Sequence, residues 1–253
     1  MRRYDRKKVK LEVYQKLELQ MMPTRHEAAI HTAMTAKSDT LIPFLKENNL
    51  KIFSWVLYAC LKTVNQYPNL KRFVMKGTMY EHKKLIVSTV VKKDKKVEGD
   101  NGFAKFLLIE TMSPHDIHHL LYETITKSKD SQGNDSDALM KVMGVFPSGV
   151  FRLIKRGLSL LDRFDWLPNN IIDSDPLHAT AMIANLGSID GHSVNHHLYN
   201  WGTASLFITF GRLREDGTID FTFTIDERIS EGMVLFKAID YFKNIMENPH
   251  EHV

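Results

Sequence analysis

The stretch Thr224-Ile225-Asp226-Glu227-Arg228-Ile229-Ser230-Glu231-Gly232 decides how this chain is read. On its N-terminal side Ile219–Ile225 (IDFTFTI) alternates apolar and polar residues, the period of a half-buried strand. Before it, Asp216-Gly217 is a hairpin turn signal, so the strand should pair with its predecessor. On the C-terminal side, Met233, Phe236, Ile239, Phe242, Ile245 and Met246 recur at helical spacing, predicting an amphipathic helix over 232–247 that closes before Pro249. The quoted residues are therefore a strand-to-helix junction. Such junctions sit at the edge of a core, where charged side chains can meet a ligand.

Upstream, Phe53, Val56, Leu57, Cys60, Leu61 and Val64 form one continuous helical face, ended by Pro68. A strand is expected over 28–36, and a short helix through Asn48 capped by Ser38 or Asp39. Short strands are expected at Phe73–Met75, Thr78–Tyr80, Leu85–Val91 and Phe106–Thr111. A helix opening at Ser113-Pro114, a loop over 127–137 and a helical region at 138–167 follow, with strands at 178–186 and 203–212. The first 20 residues read as an extended arm or a first helix. This mixture predicts an α+β (mixed α/β) domain and not a regular βαβ repeat.

Three stretches resemble the catalytic domain of the 2-oxoacid dehydrogenase acyltransferases. Residues 53–73, ending YPNLKRF, are similar to a family helix with a "P-x-L-N" end. Ile183-Ala184-Asn185-Leu186-Gly187 is similar to "I-S-N-L-G", and the quoted junction to "D-H-R-x-x-D-G". The segment from His196 to Gly202 resembles "HHLYN-G" of single-domain clostridial-type relatives. The resemblance implies a chloramphenicol-acetyltransferase-like fold over 1–253 as one domain, with a helical insertion at about 138–172, assembled as a homotrimer. It further implies a site between subunits that takes acyl-coenzyme A (coenzyme A as co-substrate) and a small acceptor. In that family a histidine deprotonates the acceptor thiol and the serine of "I-S-N-L-G" donates to the oxyanion.

Here Glu227 stands at the histidine position, Ala184 at the serine position and Glu231 four residues on. A free carboxylate is a poorer base for a thiol than a free imidazole by about 3 kcal/mol. A missing oxyanion donor typically costs a further hundredfold or so. Burial or a shared carboxylate pair would strengthen a glutamate base, so Glu227 and Glu231 are the candidate catalytic pair. Pairing of Glu227 with Arg228 is the non-chemical alternative. Ala184, Asn185, Asp226, Arg228, His196 and His197 are the candidate substrate contacts, and His192 a further histidine of the same region. Three functions stay open: thiol acyl transfer with an altered base, different carboxylate chemistry, or a silent ligand-binding or scaffold protein.

Composition narrows the remainder. With 43% apolar and 25% charged residues the chain reads as an ordinary globular protein. Its net charge of +4 and its lysine and arginine runs suit anionic partners, but no nucleic-acid recognition motif accompanies them. The single cysteine, Cys60, lies on the apolar helical face and is expected in the core. His115 and His119 share a helical face without a third ligand, so no metal is expected. Neither a signal peptide nor a lipoyl or subunit-binding domain is expected, and a cytoplasmic location is. Residues 141–167 are unusually apolar, with Arg152, Lys155, Arg156 and Arg163 interleaved. They read either as a buried or trimer-packing helix or as an amphipathic helix for a membrane surface or a partner.

Overall fold

The computed structural model describes residues 6–92, 101–130, 145, 147–164 and 166–253. Its strands are β1 (Arg6–Lys8), β2 (Ala29–Lys37), β3 (Arg72–Met75), β4 (Thr78–His82), β5 (Leu85–Lys92), β6 (Asn101–Leu108), β7 (Ala181–Asn185), β8 (Leu206–Leu213) and β9 (Thr218–Asp226). Its helices are α1 (Val13–Met21), α2 (Leu41–Glu47), α3 (Ile52–Gln66), α4 (Pro114–Asp130), α5 (Ser148–Arg163), α6 (Asn169–Ser174) and α7 (Gly232–Glu247). Six strands form one sheet in the order β2-β9-β8-β7-β5-β6, and β1-β4-β3 form a small second sheet. Pairings β5–β7 and β7–β8 are parallel and the others in the large sheet antiparallel, so the α+β expectation is met by a mixed sheet.

Strand alternation decides which side carries the core. On β9, Ile219, Phe221, Phe223 and Ile225 join Leu206, Ile208 and Phe210 of β8 in the main hydrophobic cluster. Helices α3 and α7 pack there through Leu57, Leu61, Phe242 and Ile245. The α3 face expected from spacing is buried from Val56 on, with Phe53 half-buried, but so is Trp55 outside it, because α7 lies on that flank; its indole N–H donates to Ile245 O at 3.2 Å. Cys60 is in this core, and burial pushes its thiol up to about 12.

The other face of β7, β8 and β9 is covered by the irregular segment 192–201. His196 stacks on Phe207 at 3.9 Å, and Val194 exchanges hydrogen bonds with Thr209. Gly202 takes φ +80, and a Cβ there would lie 2.2 Å from Leu177 O, so only glycine fits.

Several boundaries depart from the sequence reading. Thr40, not Ser38 or Asp39, is the residue before α2, since the Ser38 hydroxyl donates to Gly217 O at 2.6 Å. Strand β6 begins earlier and ends at Leu108, because it pairs β5 along its length from Leu85↔Leu108 to Lys92↔Asn101. Helix α4 continues through residues expected in a loop, with a Lys127–Glu123 pair at 3.9 Å along it. Residues 131–137 of that loop, and 138–144 of the expected helical region, lie outside the described residues. Residues 178–180 stay out of β7 because His178 is drawn into a buried polar cluster, and 203–205 precede β8. Residues 6–21 supply both a strand and a helix.

Candidate functional site

The junction after β9 is built around a buried charge cluster. Asp226 is fully buried and takes two hydrogen bonds from Arg228, Nε to Oδ1 and Nη2 to Oδ2, both at 2.7 Å. Its Oδ1 also accepts from the Arg228 N–H at 3.3 Å, which caps a short 3-10 turn over Glu227–Ile229. Arg228 Nη1 donates to Met22 O at 2.6 Å. Arg25 completes the cluster: its Nε lies 3.7 Å from Asp226 Oδ2, and its Nη atoms donate to Tyr199 O, Val74 O and Gly202 O. Burial lowers the Arg25 guanidinium to about 10; Asp226 pulls it back up and Arg228 pushes it down. It remains charged at neutral pH. The expected substrate contacts Asp226 and Arg228 are thus turned inward, where they fix the turn.

Glu227 has the opposite environment. Its N–H donates to Ala28 O at 2.9 Å, anchoring its backbone to β2, while its side chain is exposed. Among the described residues no hydrogen bond or ion pair engages its carboxylate, and Arg228 is committed to Asp226. The alternative of a Glu227–Arg228 pair is therefore replaced by Asp226–Arg228. Glu231 is also exposed. A 3-10 turn and an extended Ser230 separate it from Glu227, so their four-residue spacing does not put them on one helical face. Met233 and Phe236, at the start of α7 just beyond, are 71% and 60% exposed, an apolar rim beside the carboxylates.

The second motif ends β7. Ala184 is half-buried and packs against the cluster of Met182, Leu198 and Phe207. Its neighbour in register is Thr209, which pairs with Thr222 on β9. Both hydroxyls are spent: each donates to Val194 O, at 2.7 and 2.6 Å. Neither replaces the hydroxyl that Ala184 lacks. Asn185 Oδ1 accepts from Ser188 N at 3.1 Å and caps another 3-10 turn, Leu186–Ile189. Glu227 follows the end of β9, which lies four residues or about 13 Å beyond Thr222 at 3.3 Å per residue, and is two strands across from Ala184, so one chain does not bring Ala184 and Glu227 together.

Among the histidines, His196 stacks between Phe207 and His197, and its Nδ1 donates to His197 O at 2.9 Å. His197 sits edge-on to Tyr199 at 4.5 Å; burial, then neighbouring His196 and His26, lowers its pKa. Sequence reasoning missed His31. It is exposed on β2 with Nδ1 3.0 Å from Thr224 Oγ1, three residues before Glu227 on the facing strand. The signal was present, since a period of two places His31 opposite Ile30 and Met34, on the polar side of the sheet.

A second buried cluster was also missed. His178 Nδ1 lies 2.7 Å from Asp175 Oδ2 and its Nε2 3.9 Å from Asp162 Oδ1, and the Trp201 indole donates to Asp175. Burial opposes the charged imidazole, but the hydrogen bond to Asp175 and the nearby charge of Asp162 together outweigh it, so His178 is raised. Burial opposes the Asp175 carboxylate too, but the bond and charge of His178 and the hydrogen bonds from Leu177 N and the Trp201 indole together outweigh it, so Asp175 is lowered. Asp162 also lines a cavity of about 440 Å³ bounded by Arg25, Lys76, Ser159, Trp201 and Arg228. Its two guanidinium groups are spent on Asp226 and main-chain carbonyls, which makes it a poor cradle for phosphates.

The α4 histidines take separate partners: His115 Nε2 with Asn48 O, His118 with Ser54, and His119 with Glu123. Among the described residues no group of three or more His, Cys, Asp or Glu is placed to hold a metal ion.

The fold these elements define is that of chloramphenicol acetyltransferase and of dihydrolipoamide acetyltransferase catalytic cores. The chain superposes on a chloramphenicol acetyltransferase with a TM-score of 0.66 at 11% identity, covering 96% of this chain and 100% of that one. A truncated catalytic core of the 2-oxoacid dehydrogenase multienzyme complex from Thermoplasma acidophilum gives 0.61 at 12% identity, covering 96% and 99%. The dihydrolipoamide acetyltransferase of Azotobacter vinelandii gives 0.56 at 11% identity, covering 97% and 94%. No protein-family model and no curated protein matches the chain. At identities this low the likeness shows the fold alone.

Proposed function

We propose that residues 1–253 form one coenzyme-A-dependent acyltransferase-type domain whose active site is altered, so that transfer is slow or redirected. The observation that carries this reading is the contrast at the junction. The Asp226–Arg228–Arg25 cluster holds the turn, and the carboxylate of Glu227, which the sequence resemblance assigns to the position of the base, is exposed. In the proposed reaction an acceptor thiol gives its proton to Glu227, and the thiolate attacks the thioester carbonyl of acyl-coenzyme A. The tetrahedral intermediate expels coenzyme A as thiolate, which regains the proton. Ala184 offers no hydroxyl to the oxyanion. The weaker base and the lost donor together slow the step about 10⁴-fold relative to a histidine–serine site.

The separation of Ala184 from Glu227 within one chain supports a homotrimer in which one copy's Glu227 approaches another copy's Ala184. Exposed Met233 and Phe236 beside one half of the site, and Ile189 and Val194 beside the other, are apolar surface suited to that contact. Helices α5 and α6 belong to the insertion at about 138–172. A second reading, a silent ligand-binding or scaffold homologue, is favoured by the spent hydroxyls of Thr209 and Thr222.

Acetyl-coenzyme A turnover with thiol, amine and hydroxyl acceptors, compared between wild type and Glu227→Gln, separates the two. Loss of a wild-type rate in the variant supports transfer, and equal background in both supports the scaffold. Thiol transfer gained by a Glu227→His, Ala184→Ser double variant would show that both substrates still bind.

A further inference from the structure

Helix α5 is built the wrong way round for a core helix. At 100° per residue, Val150, Leu153, Gly157, Leu160, Leu161 and Phe164 fall within an arc of about 100°. In α7 the corresponding stripe, including Leu235, Ala238, Phe242 and Ile245, is buried. In α5 it faces solvent: Leu153 is 70% exposed, Leu160 and Phe164 55% each, and Trp166 just beyond 65%. The most buried described side chain of α5 is a charge, Asp162, which is 8% exposed and reaches His178, with Ile154 and Leu158 half-buried beside it. Its main chain is tied there too, with Lys76 Nζ donating to Asp162 O at 2.9 Å.

Among the described residues, the exposed charges along α5 are of one sign. Arg152, Lys155 and Arg156 are exposed, and Asp162, the acidic residue of α5, is held inside. Phe164 and Trp166 pair at 5.4 Å at the C-terminal end, aromatic types that favour the boundary between lipid and water. No helix among the described residues is long and apolar enough to cross a membrane. A helix of this pattern lies in the plane of a bilayer, its apolar face in the acyl–headgroup boundary and its cations on phosphates.

We infer that α5 docks this protein on the surface of an anionic lipid bilayer. A second copy meeting the face through its own α5 would set Arg152, Lys155 and Arg156 against their equivalents, whereas anionic headgroups neutralise them. The polar anchor at Asp162 and His178 orients the helix so that the apolar stripe leads.

The test uses the full chain and sedimentation with vesicles of phosphatidylcholine alone or mixed with phosphatidylglycerol. Wild type is expected to partition at least tenfold more onto the anionic vesicles, less as salt rises, and to show a fluorescence blue shift that Trp166→Phe diminishes. Leu153→Glu with Leu160→Glu, both at exposed positions, should abolish binding; Arg152→Glu with Arg156→Glu should abolish the preference for anionic lipid. Background partitioning of wild type, equal binding to both vesicle types, or unchanged binding by the leucine variant overturns the proposal. So does an oligomer that the leucine variant dissociates without any vesicle binding, which would assign the face to a second copy. Far-ultraviolet circular dichroism of each variant separates lost docking from lost folding.

Discussion

Residues 184–188 and 226–229 are built alike and kept differently. Each follows the end of a strand in the same sheet, and each enters a 3-10 turn capped by an Asx side chain, Asn185 onto Ser188 and Asp226 onto Arg228. The second turn is sealed: Asp226 is fully buried and two guanidinium groups close on it. The first is open, its cap an uncharged amide at the surface. In both, the residue beside the cap, Ala184 or Glu227, contributes nothing to the turn through its side chain. The turn and the side chain beside it are thus separable, and the residue at either position can change while the cap stays.

The comparison breaks if the two caps prove equivalent. Arg228→Ala leaves the Asp226 carboxylate buried and undercompensated, and should cost roughly 3–5 kcal/mol in urea denaturation. Asn185→Ala removes a single exposed cap and should cost about 1 kcal/mol in the same measurement. Equal losses would mean that the buried charges add nothing to the turn.

The His178 cluster sharpens the contrast by adding a titratable member. Its raised pKa means that its charged interactions with Asp175 and Asp162 stabilise the fold fully below the ordinary histidine value and are lost as pH rises through the folded value. The lowered pKa of Asp175 means that its share is present above the ordinary carboxylate value and lost as pH falls through its folded value. Denaturation of wild type and His178→Gln should therefore differ most between about pH 4 and 6.5, by about 2 kcal/mol, and converge at higher pH. A difference constant from pH 5 to 9 would show that His178 acts through packing alone. The smallest effect belongs to Glu227→Gln, which should leave stability within about 0.5 kcal/mol of wild type. A larger loss would place Glu227 in the frame after all.

Much of the frame was legible in the sequence because it is local. The alternation of Ile219–Ile225, the Asp216-Gly217 turn and the α3 stripe each reflect neighbouring residues on one element and appear in the fold, whereas the α7 stripe is buried only from Ile239 on: Met233 and Phe236 are exposed, and Leu235 and Ala238 are buried in the first turns instead. The turn is realised with Gly217 at φ +74 and Thr218 N donating to Asp216 Oδ1. What escaped is non-local. Arg25 meets Asp226 from far away along the chain, and Asp162, Asp175 and His178 carry no spacing that marks them as a cluster. At the site, the two motifs could be named from sequence, but not the distance between Ala184 and Glu227. That distance follows from register across β7, β8 and β9, which no single stretch encodes.

The edge ladder sets a timetable. Strand β2 pairs residues 29–37 with 218–226 of β9, and the Glu227 N–H closes the row on Ala28 O. A ribosome makes β2 long before its partner exists. Meanwhile β8 and β9 can form their hairpin as soon as they emerge, while β2 must wait, unpaired, for nearly the rest of the chain. The backbone that presents Glu227 is therefore among the last parts of the molecule to take shape, and a nascent chain stalled before residue 218 would expose a bare β2 to any other strand it met.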